Sequence, residues 1–152
     1  MIRDGTYTIA SALPSNPVLD IDGATTPFDS PIAGIVGFKN QTANNQNQQW
    51  KVTALSPGVY SLQSVIGPFW IAAPDDGSVA QVDTSRYDPV VNLITRWRIS
   101  EAGGGNYTIE SEKFPGRVID LEYANNADNT RAILYQNGLQ PNQLWQFIPV
   151  AI

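Results

Sequence analysis

The sequence predicts an all-β fold built from three copies of one unit, and two recurring motifs support this prediction. The first motif, Gly-x-Tyr-(Ser/Thr)-(Ile/Leu)-x-Ser, is an alternating strand pattern after a turn glycine, and it begins at Gly5, Gly58 and Gly105. The second is a tryptophan followed by another strand-like segment, and it closes the copies at Trp50, Trp97 and Trp145. Self-similarity at a fixed period is the signature of a repeat architecture.

The three copies span about residues 1–54, 55–101 and 102–152, and together they form one domain. Each copy contains four short apolar segments separated by turn residues, and no segment of helical length carries an apolar period of 3.6 residues. Twelve short strands in three four-stranded repeats indicate a β-trefoil with pseudo-threefold symmetry. One copy alone is too small to bury its apolar face, so the tyrosines and closing tryptophans of all three are expected to share one core.

The composition excludes several classes of function. A net charge of −5 with only nine dispersed Lys and Arg residues argues against binding to nucleic acid, which needs a basic face. The chain has no cysteine and no histidine, so we expect no metal, no cofactor and no enzymatic activity of the usual kinds. The sequence contains no run of about 18 apolar residues, so it predicts no insertion into a membrane. A cytoplasmic protein is the simplest interpretation.

The residues around the closing tryptophans resemble a known family. Asn47-Gln48-Gln49-Trp50 and Asn142-Gln143-Leu144-Trp145 both contain the Gln-x-Trp signature, whereas the second copy reads Ile94-Thr95-Arg96-Trp97. Two such motifs in register with three Gly-x-Tyr strands resemble the ricin B-chain-like lectin family over the whole chain. The similarity is greatest to its short, cysteine-free mushroom members.

This resemblance implies a shallow sugar site on a repeat. In the family, an Asp on the second strand accepts hydrogen bonds from two sugar hydroxyls. A downstream aromatic ring stacks on the apolar face of the pyranose, and an Asn before the Gln-x-Trp donates to a further hydroxyl. Hydroxyl groups pair with carboxylates and amides, and sugar C–H groups pack on rings, so these residue types suit the task. The sugars implied are galactose and N-acetylgalactosamine.

Counting from the tyrosine of each repeat identifies the candidate residues. Thirteen residues after the tyrosine lies Asp20 in repeat one and Asp120 in repeat three, but Ala73 in repeat two. The resemblance therefore predicts two sites, made of Asp20, Phe38, Asn47 and Gln48, and of Asp120, Tyr135, Asn142 and Gln143. Gly37 is an alternative to Phe38 at the stacking position. The Asp residues can also hold a turn, and the Gln residues are expected to pair buried backbone first.

The function favoured by these patterns is a lectin that binds glycans of glycoproteins or glycolipids, with a defensive role in a fungal cell. Two weak sites, or a homodimer, would act through avidity. The alternative is a serine protease inhibitor of the mushroom β-trefoil type, which presents a loop to an enzyme of the trypsin class. Its candidate residues on loops are Arg86, Lys113 and Arg131, with the loop Asp22–Pro31 as a further candidate. An inhibitor needs no paired Asp and Asn-Gln sets, which is why the lectin is favoured.

Overall fold

The computed structural model describes residues 1–22 and 33–150. These residues form twelve strands, numbered in chain order: β1 Gly5–Ser11, β2 Val18–Ile21, β3 Ile35–Phe38, β4 Trp50–Ser56, β5 Val59–Ser64, β6 Trp70–Ala72, β7 Asp83–Ser85, β8 Trp97–Gly103, β9 Asn106–Ser111, β10 Arg117–Leu121, β11 Thr130–Gln136 and β12 Trp145–Pro149. Short 3-10 turns occupy Gln46–Gln48, Leu93–Thr95, Glu122–Ala124 and Pro141–Gln143. Within the same two ranges, no helix has the length and apolar character needed to cross a membrane.

Six of these strands close into an antiparallel barrel. Strand β1 pairs with β12 and β4, β4 pairs with β5, β5 with β8, β8 with β9, and β9 with β12. Each repeat contributes its first and fourth strands to this ring. A closed ring has no free sheet edge, so its backbone groups are paired within the barrel.

The second and third strands of each repeat form a hairpin, and the three hairpins cap one end of the barrel. The hairpins are β2–β3, β6–β7 and β10–β11. They contact one another through β11 and β3, through a bridge between Gly34 and Asp83, and through a bridge between Gln81 and Ile133. This barrel with a triangular cap confirms the predicted β-trefoil.

The closing tryptophans are the largest side chains of the core, and all three are completely buried. Each indole nitrogen donates a hydrogen bond to a carbonyl oxygen on the second strand of its own repeat: Trp50 to Leu19 at 3.1 Å, Trp97 to Ile71 at 2.9 Å and Trp145 to Ile119 at 3.1 Å. Because the rings also fill the core, each one fixes its cap hairpin against the barrel. In repeats one and three the acceptor residue directly precedes the predicted site Asp.

Candidate functional site

In repeat three, the carboxylate of Asp120 is the centre of a buried hydrogen-bond cluster. Asn142 Nδ2 donates to Asp120 Oδ1 at 3.0 Å and to the carbonyl oxygen of Leu121 at 3.0 Å. Gln143 Nε2 donates to Asp120 Oδ2 at 2.8 Å and to the carbonyl oxygen of Gln136 at 2.9 Å. The cluster therefore joins strands β10 and β11 to the 3-10 turn before Trp145.

Local sequence explains why Asn142 and Gln143 lie in a turn at this point. Pro141 begins the 3-10 turn, where its fixed φ is already suitable and its missing N–H costs no hydrogen bond. Gln143 Oε1 accepts hydrogen bonds from the backbone N–H of Gly138 at 2.7 Å and of Gln140 at 3.4 Å. Gln143 thus forms hydrogen bonds with backbone groups and also with Asp120. Backbone bonds of this kind are expected for this side chain from the sequence.

Repeat one contains the same cluster on Asp20. Asn47 Nδ2 donates to Asp20 Oδ1 at 2.8 Å, and Gln48 Nε2 donates to Asp20 Oδ2 at 2.9 Å. Gln48 also donates to the carbonyl oxygen of Lys39 at 2.9 Å and accepts from the backbone N–H of Gln41 at 3.0 Å. The two repeats therefore hold their carboxylates in equivalent ways.

Burial sets the electrostatics of both carboxylates. Asp20 is 5% exposed and Asp120 is 4% exposed. Burial raises the pKa of each carboxyl, and the hydrogen bonds from the Gln and Asn side chains oppose that rise. A carboxylate has about four acceptor positions, and the amide donors occupy two of them. Bonds with the described residues therefore leave further acceptor positions on each Asp.

The repeat-three cluster lies in a cavity with a volume of about 540 Å³. Its lining residues are Leu13, Val79, Asp120, Glu122, Tyr123, Ala124, Ile133, Tyr135, Gln140, Pro141 and Asn142. Three of the four predicted residues, Asp120, Tyr135 and Asn142, thus share one cavity, and the Tyr135 side chain is half exposed. Gln143 is buried behind them. A carboxylate, an amide and an accessible ring in one apolar cavity can bind a ligand that has both hydroxyl groups and an apolar face.

The repeat-one cluster lies in a smaller depression of about 160 Å³. Its lining residues in the described part of the chain are Asp20, Ile21, Asp22, Phe38, Gln41, Asn47 and Asn129. Phe38 lines this depression, whereas Gly37 packs on Leu121, where an added Cβ would lie 3.0 Å from a side-chain methyl. Phe38 is therefore the aromatic residue available at this site, and Gln48 again lies behind the lining.

Repeat two has no such cluster, and one detail of its predicted alignment is wrong. Ala72, and not Ala73, occupies the position of Asp20 and Asp120, because it directly follows Ile71, the acceptor for the indole of Trp97. The paired residues of the first two strands, Gln63 and Trp70, are seven positions apart in this repeat and eight apart in the other two, which shifts the count from the tyrosine. The Thr95 hydroxyl, at the position of Gln48 and Gln143, donates to the carbonyl oxygen of Tyr87.

The pocket of repeat two contains a different carboxylate, on the strand facing Ala72. Asp83 pairs with Ala72 across the β6–β7 hairpin and lines a pocket of about 160 Å³. Burial, with a smaller contribution from the negative charge of Asp75, raises the pKa of Asp83 to about 6. The sequence pattern gave no signal for this residue, because it lies on the third strand of its repeat.

We expect Asp83→Asn to stabilise the protein at about pH 8 by roughly 1–3 kcal/mol and to have little effect at about pH 4. The pKa of Asp83 is higher in the folded protein than in the unfolded chain, so its contribution to stability is present at low pH and is lost as the pH rises through about 6. Thermal unfolding across this pH range measures the effect. The control is Asp76→Asn, because the pKa of exposed Asp76 is lowered by hydrogen bonds with Ser78 and lies below the window. Equal pH slopes in Asp83→Asn and the parent protein would contradict the prediction.

The structure places two of the three candidate inhibitor residues on loops. Arg86 follows β7 and is exposed, with its guanidinium 5.1 Å from the ring centre of Phe69. Lys113 is exposed in the turn after β9. The prediction that Arg131 lies on a loop is wrong, because it is within β11 and pairs with Glu122 at 3.4 Å. Of the loop 22–31, only Asp22 lies within the described residues.

The fold is a β-trefoil whose first and third repeats contain equivalent buried Asp, Asn and Gln clusters. Residues 46–135, more than half of the chain, match the profile of the ricin-type β-trefoil lectin domain-like family. The chain belongs to this family.

Three solved structures share the architecture of this chain over nearly their full length. The designed threefold-symmetric protein ThreeFoil is 25% identical with a TM-score of 0.83, covering 97% of this chain and 100% of its own. The Rhizoctonia solani agglutinin is 25% identical with a TM-score of 0.82, covering 99% and 98%. The Macrolepiota procera ricin B-like lectin, solved with lactose, is 19% identical with a TM-score of 0.76, covering 99% of both chains.

Proposed function

We propose that this protein is a non-enzymatic lectin that binds terminal galactose or N-acetylgalactosamine through repeats one and three. The observation that carries the proposal is the pairing of equivalent buried carboxylates, Asp20 and Asp120, with an Asn-Gln pair and an aromatic residue at each pocket. Repeat two has lost all of these polar groups together. The similar Macrolepiota procera lectin was solved with lactose, a galactose-containing disaccharide, which supports the choice of sugar.

The hydrogen-bond inventory assigns different roles to the two Asn residues. Both hydrogens of Asn142 Nδ2 are used, by Asp120 and by Leu121, so Asn142 offers its Oδ1 as an acceptor for a sugar hydroxyl. Asn47 Nδ2 donates only to Asp20 among the described residues, so it has a second hydrogen for a sugar oxygen. Tyr135 and Phe38 supply the surface on which the apolar face of the pyranose packs.

Two shallow sites suit multivalent binding. Single contacts of this size are weak, and two of them engaged on clustered glycans gain affinity through effective concentration. We propose agglutination of glycan-bearing surfaces, and with it a defensive role, as the consequence.

Removal of the two pocket aromatics tests the proposal with little risk to folding. We expect Tyr135→Ala and Phe38→Ala each to weaken binding of methyl β-galactoside at their own repeat by roughly two- to tenfold, because ring packing contributes about 0.5–1.5 kcal/mol. Asp120→Ala is expected to abolish binding at repeat three. Isothermal titration calorimetry measures the affinities, and circular dichroism checks the fold of each variant. Tyr87→Ala is the matched control, because this exposed tyrosine lies in repeat two.

A trypsin inhibition assay on the same preparation tests the alternative. No galactoside binding by the parent protein, together with trypsin inhibition that is lost in Arg86→Ala or Lys113→Ala, would overturn the lectin proposal.

A further inference from the structure

The two proposed sugar sites share a polar cluster but differ in size. The cavity at repeat three has a volume of about 540 Å³, compared with about 160 Å³ for the depression at repeat one. Cavities that enclose ligands of drug-like size have volumes of about 300–1,000 Å³. One sugar ring on Asp120 and Tyr135 needs no more room than the same ring on Asp20 and Phe38. The extra volume at repeat three is therefore available to a further part of the ligand.

The additional wall of this cavity includes an unusual aromatic residue. Tyr123 is 93% exposed, although it lines the cavity. Its backbone has a φ of 58°, and the next residue, Ala124, has a φ of 54°. This left-handed conformation costs roughly 1–2 kcal/mol for a residue with a side chain, and neither residue is Asn or Gly. The fold thus adopts a costly backbone conformation at the residue whose aromatic side chain lines the rim of the site.

The turn that carries Tyr123 is fixed on both sides. Glu122, immediately before it, pairs with Arg131 on β11 at 3.4 Å. Asn126, shortly after it, donates through Nδ2 to the carbonyl oxygen of Pro14 in repeat one at 2.8 Å. The backbone that carries Tyr123 is therefore held on both sides of that residue before a ligand binds.

The direction in which a glycan leaves the Asp120 cluster follows from the geometry of a pyranose. Two neighbouring hydroxyls that reach the buried Asp120 carboxylate lie at the end of the ring remote from the glycosidic bond. The linked sugar is therefore directed away from the Asp120 carboxylate, and Tyr123 lines the same cavity as a second exposed aromatic residue beside Tyr135. Leu13 and Val79, from the other two repeats, add apolar area to the lining of this cavity.

We infer that the repeat-three site binds a disaccharide, with the terminal galactose on Asp120, Asn142 and Tyr135 and the linked sugar packed on Tyr123. This inference rests on the proposed function and makes Tyr123 a specificity-determining residue. Repeat one binds the terminal sugar alone. The protein then has one site that selects for the sugar next to galactose and one that does not.

The test compares methyl β-galactoside with lactose and Galβ1-3GalNAc, by calorimetry, in a Phe38→Ala background that weakens the repeat-one site. We expect at least one disaccharide to bind roughly three- to tenfold more tightly than the monosaccharide. Tyr123→Asn is expected to remove this preference and to leave the monosaccharide affinity unchanged. Asn is the suitable replacement because it tolerates a left-handed backbone. Tyr87→Asn is the matched control, and it is expected to change neither affinity.

Two results would overturn the inference while leaving the lectin proposal intact. One is equal binding of the monosaccharide and both disaccharides by the background protein. The other is an equal loss of monosaccharide and disaccharide binding in Tyr123→Asn, which would indicate a general effect on the turn. No binding of any of the three sugars would overturn the inference and the proposed function together.

Discussion

Replacement of Trp145 by alanine is expected to lower the free energy of unfolding by about 3–5 kcal/mol, a large part of the 5–15 kcal/mol typical of a domain. The ring is fully buried where the barrel meets the repeat-three hairpin, so truncation leaves a cavity that the closed barrel cannot readily collapse. The substitution also leaves the carbonyl oxygen of Ile119 without its donor, next to Asp120. Chemical denaturation followed by circular dichroism measures the loss.

Trp145→Phe separates packing from hydrogen bonding. It keeps an aromatic ring but removes the Nε1–H donor, so it is expected to cost less than the alanine variant. An alanine variant with a denaturation midpoint within error of the parent protein would show that this part of the core is not needed for stability.

Gln143→Ala is expected to lower the free energy of unfolding by about 2–4 kcal/mol and to weaken galactoside binding at repeat three. The side chain is 3% exposed and bonds Asp120, the carbonyl oxygen of Gln136 and the backbone N–H of Gly138. Its removal leaves a buried carboxylate oxygen and two backbone groups with fewer partners. The destabilisation therefore has a polar cause, unlike that of Trp145→Ala.

The matched control is Gln146→Ala, three residues along the chain and exposed on β12. A surface substitution of this kind changes stability by no more than about 0.5 kcal/mol. Denaturation midpoints and galactoside titrations on the three proteins check both expectations. Equal stability of Gln143→Ala and Gln146→Ala would contradict the assigned role of the Gln143 amide.

The fold could be predicted because threefold repetition makes each signal appear three times. The Gly-x-Tyr strands and the tryptophans recur in register, so any single ambiguous segment is resolved by its two counterparts. The clusters on Asp20 and Asp120 could be predicted for a related reason. The Asp lies thirteen residues after the tyrosine of its repeat, the Asn and Gln lie three and two residues before the tryptophan, and the fold brings equivalent positions together in equivalent ways.

Features that depend on contacts between repeats, or on loop length, were not predictable in the same way. The walls that Leu13 and Val79 add to the repeat-three cavity arise from packing between repeats that no local pattern records. The closer spacing of the paired residues of the first two strands in repeat two moved the Asp-equivalent position from Ala73 to Ala72, since a count along the chain is sensitive to one missing residue. The prediction that Arg131 lies on a loop was wrong because β11 already begins at Thr130, one residue before it. The conformation of Tyr123 has no sequence signal, because Tyr has no preference for a positive φ.

The Thr95 hydroxyl in repeat two has a consequence for how such a protein can evolve. It bonds the carbonyl oxygens of Tyr87 and Asn92, so it pairs backbone groups near the turn without any help from a carboxylate. The turn of repeat two therefore forms without a carboxylate at the position of Asp20 and Asp120, and the tryptophan beyond it is still fully buried. One repeat of this fold can therefore change its polar cluster while its strands and its share of the core stay the same.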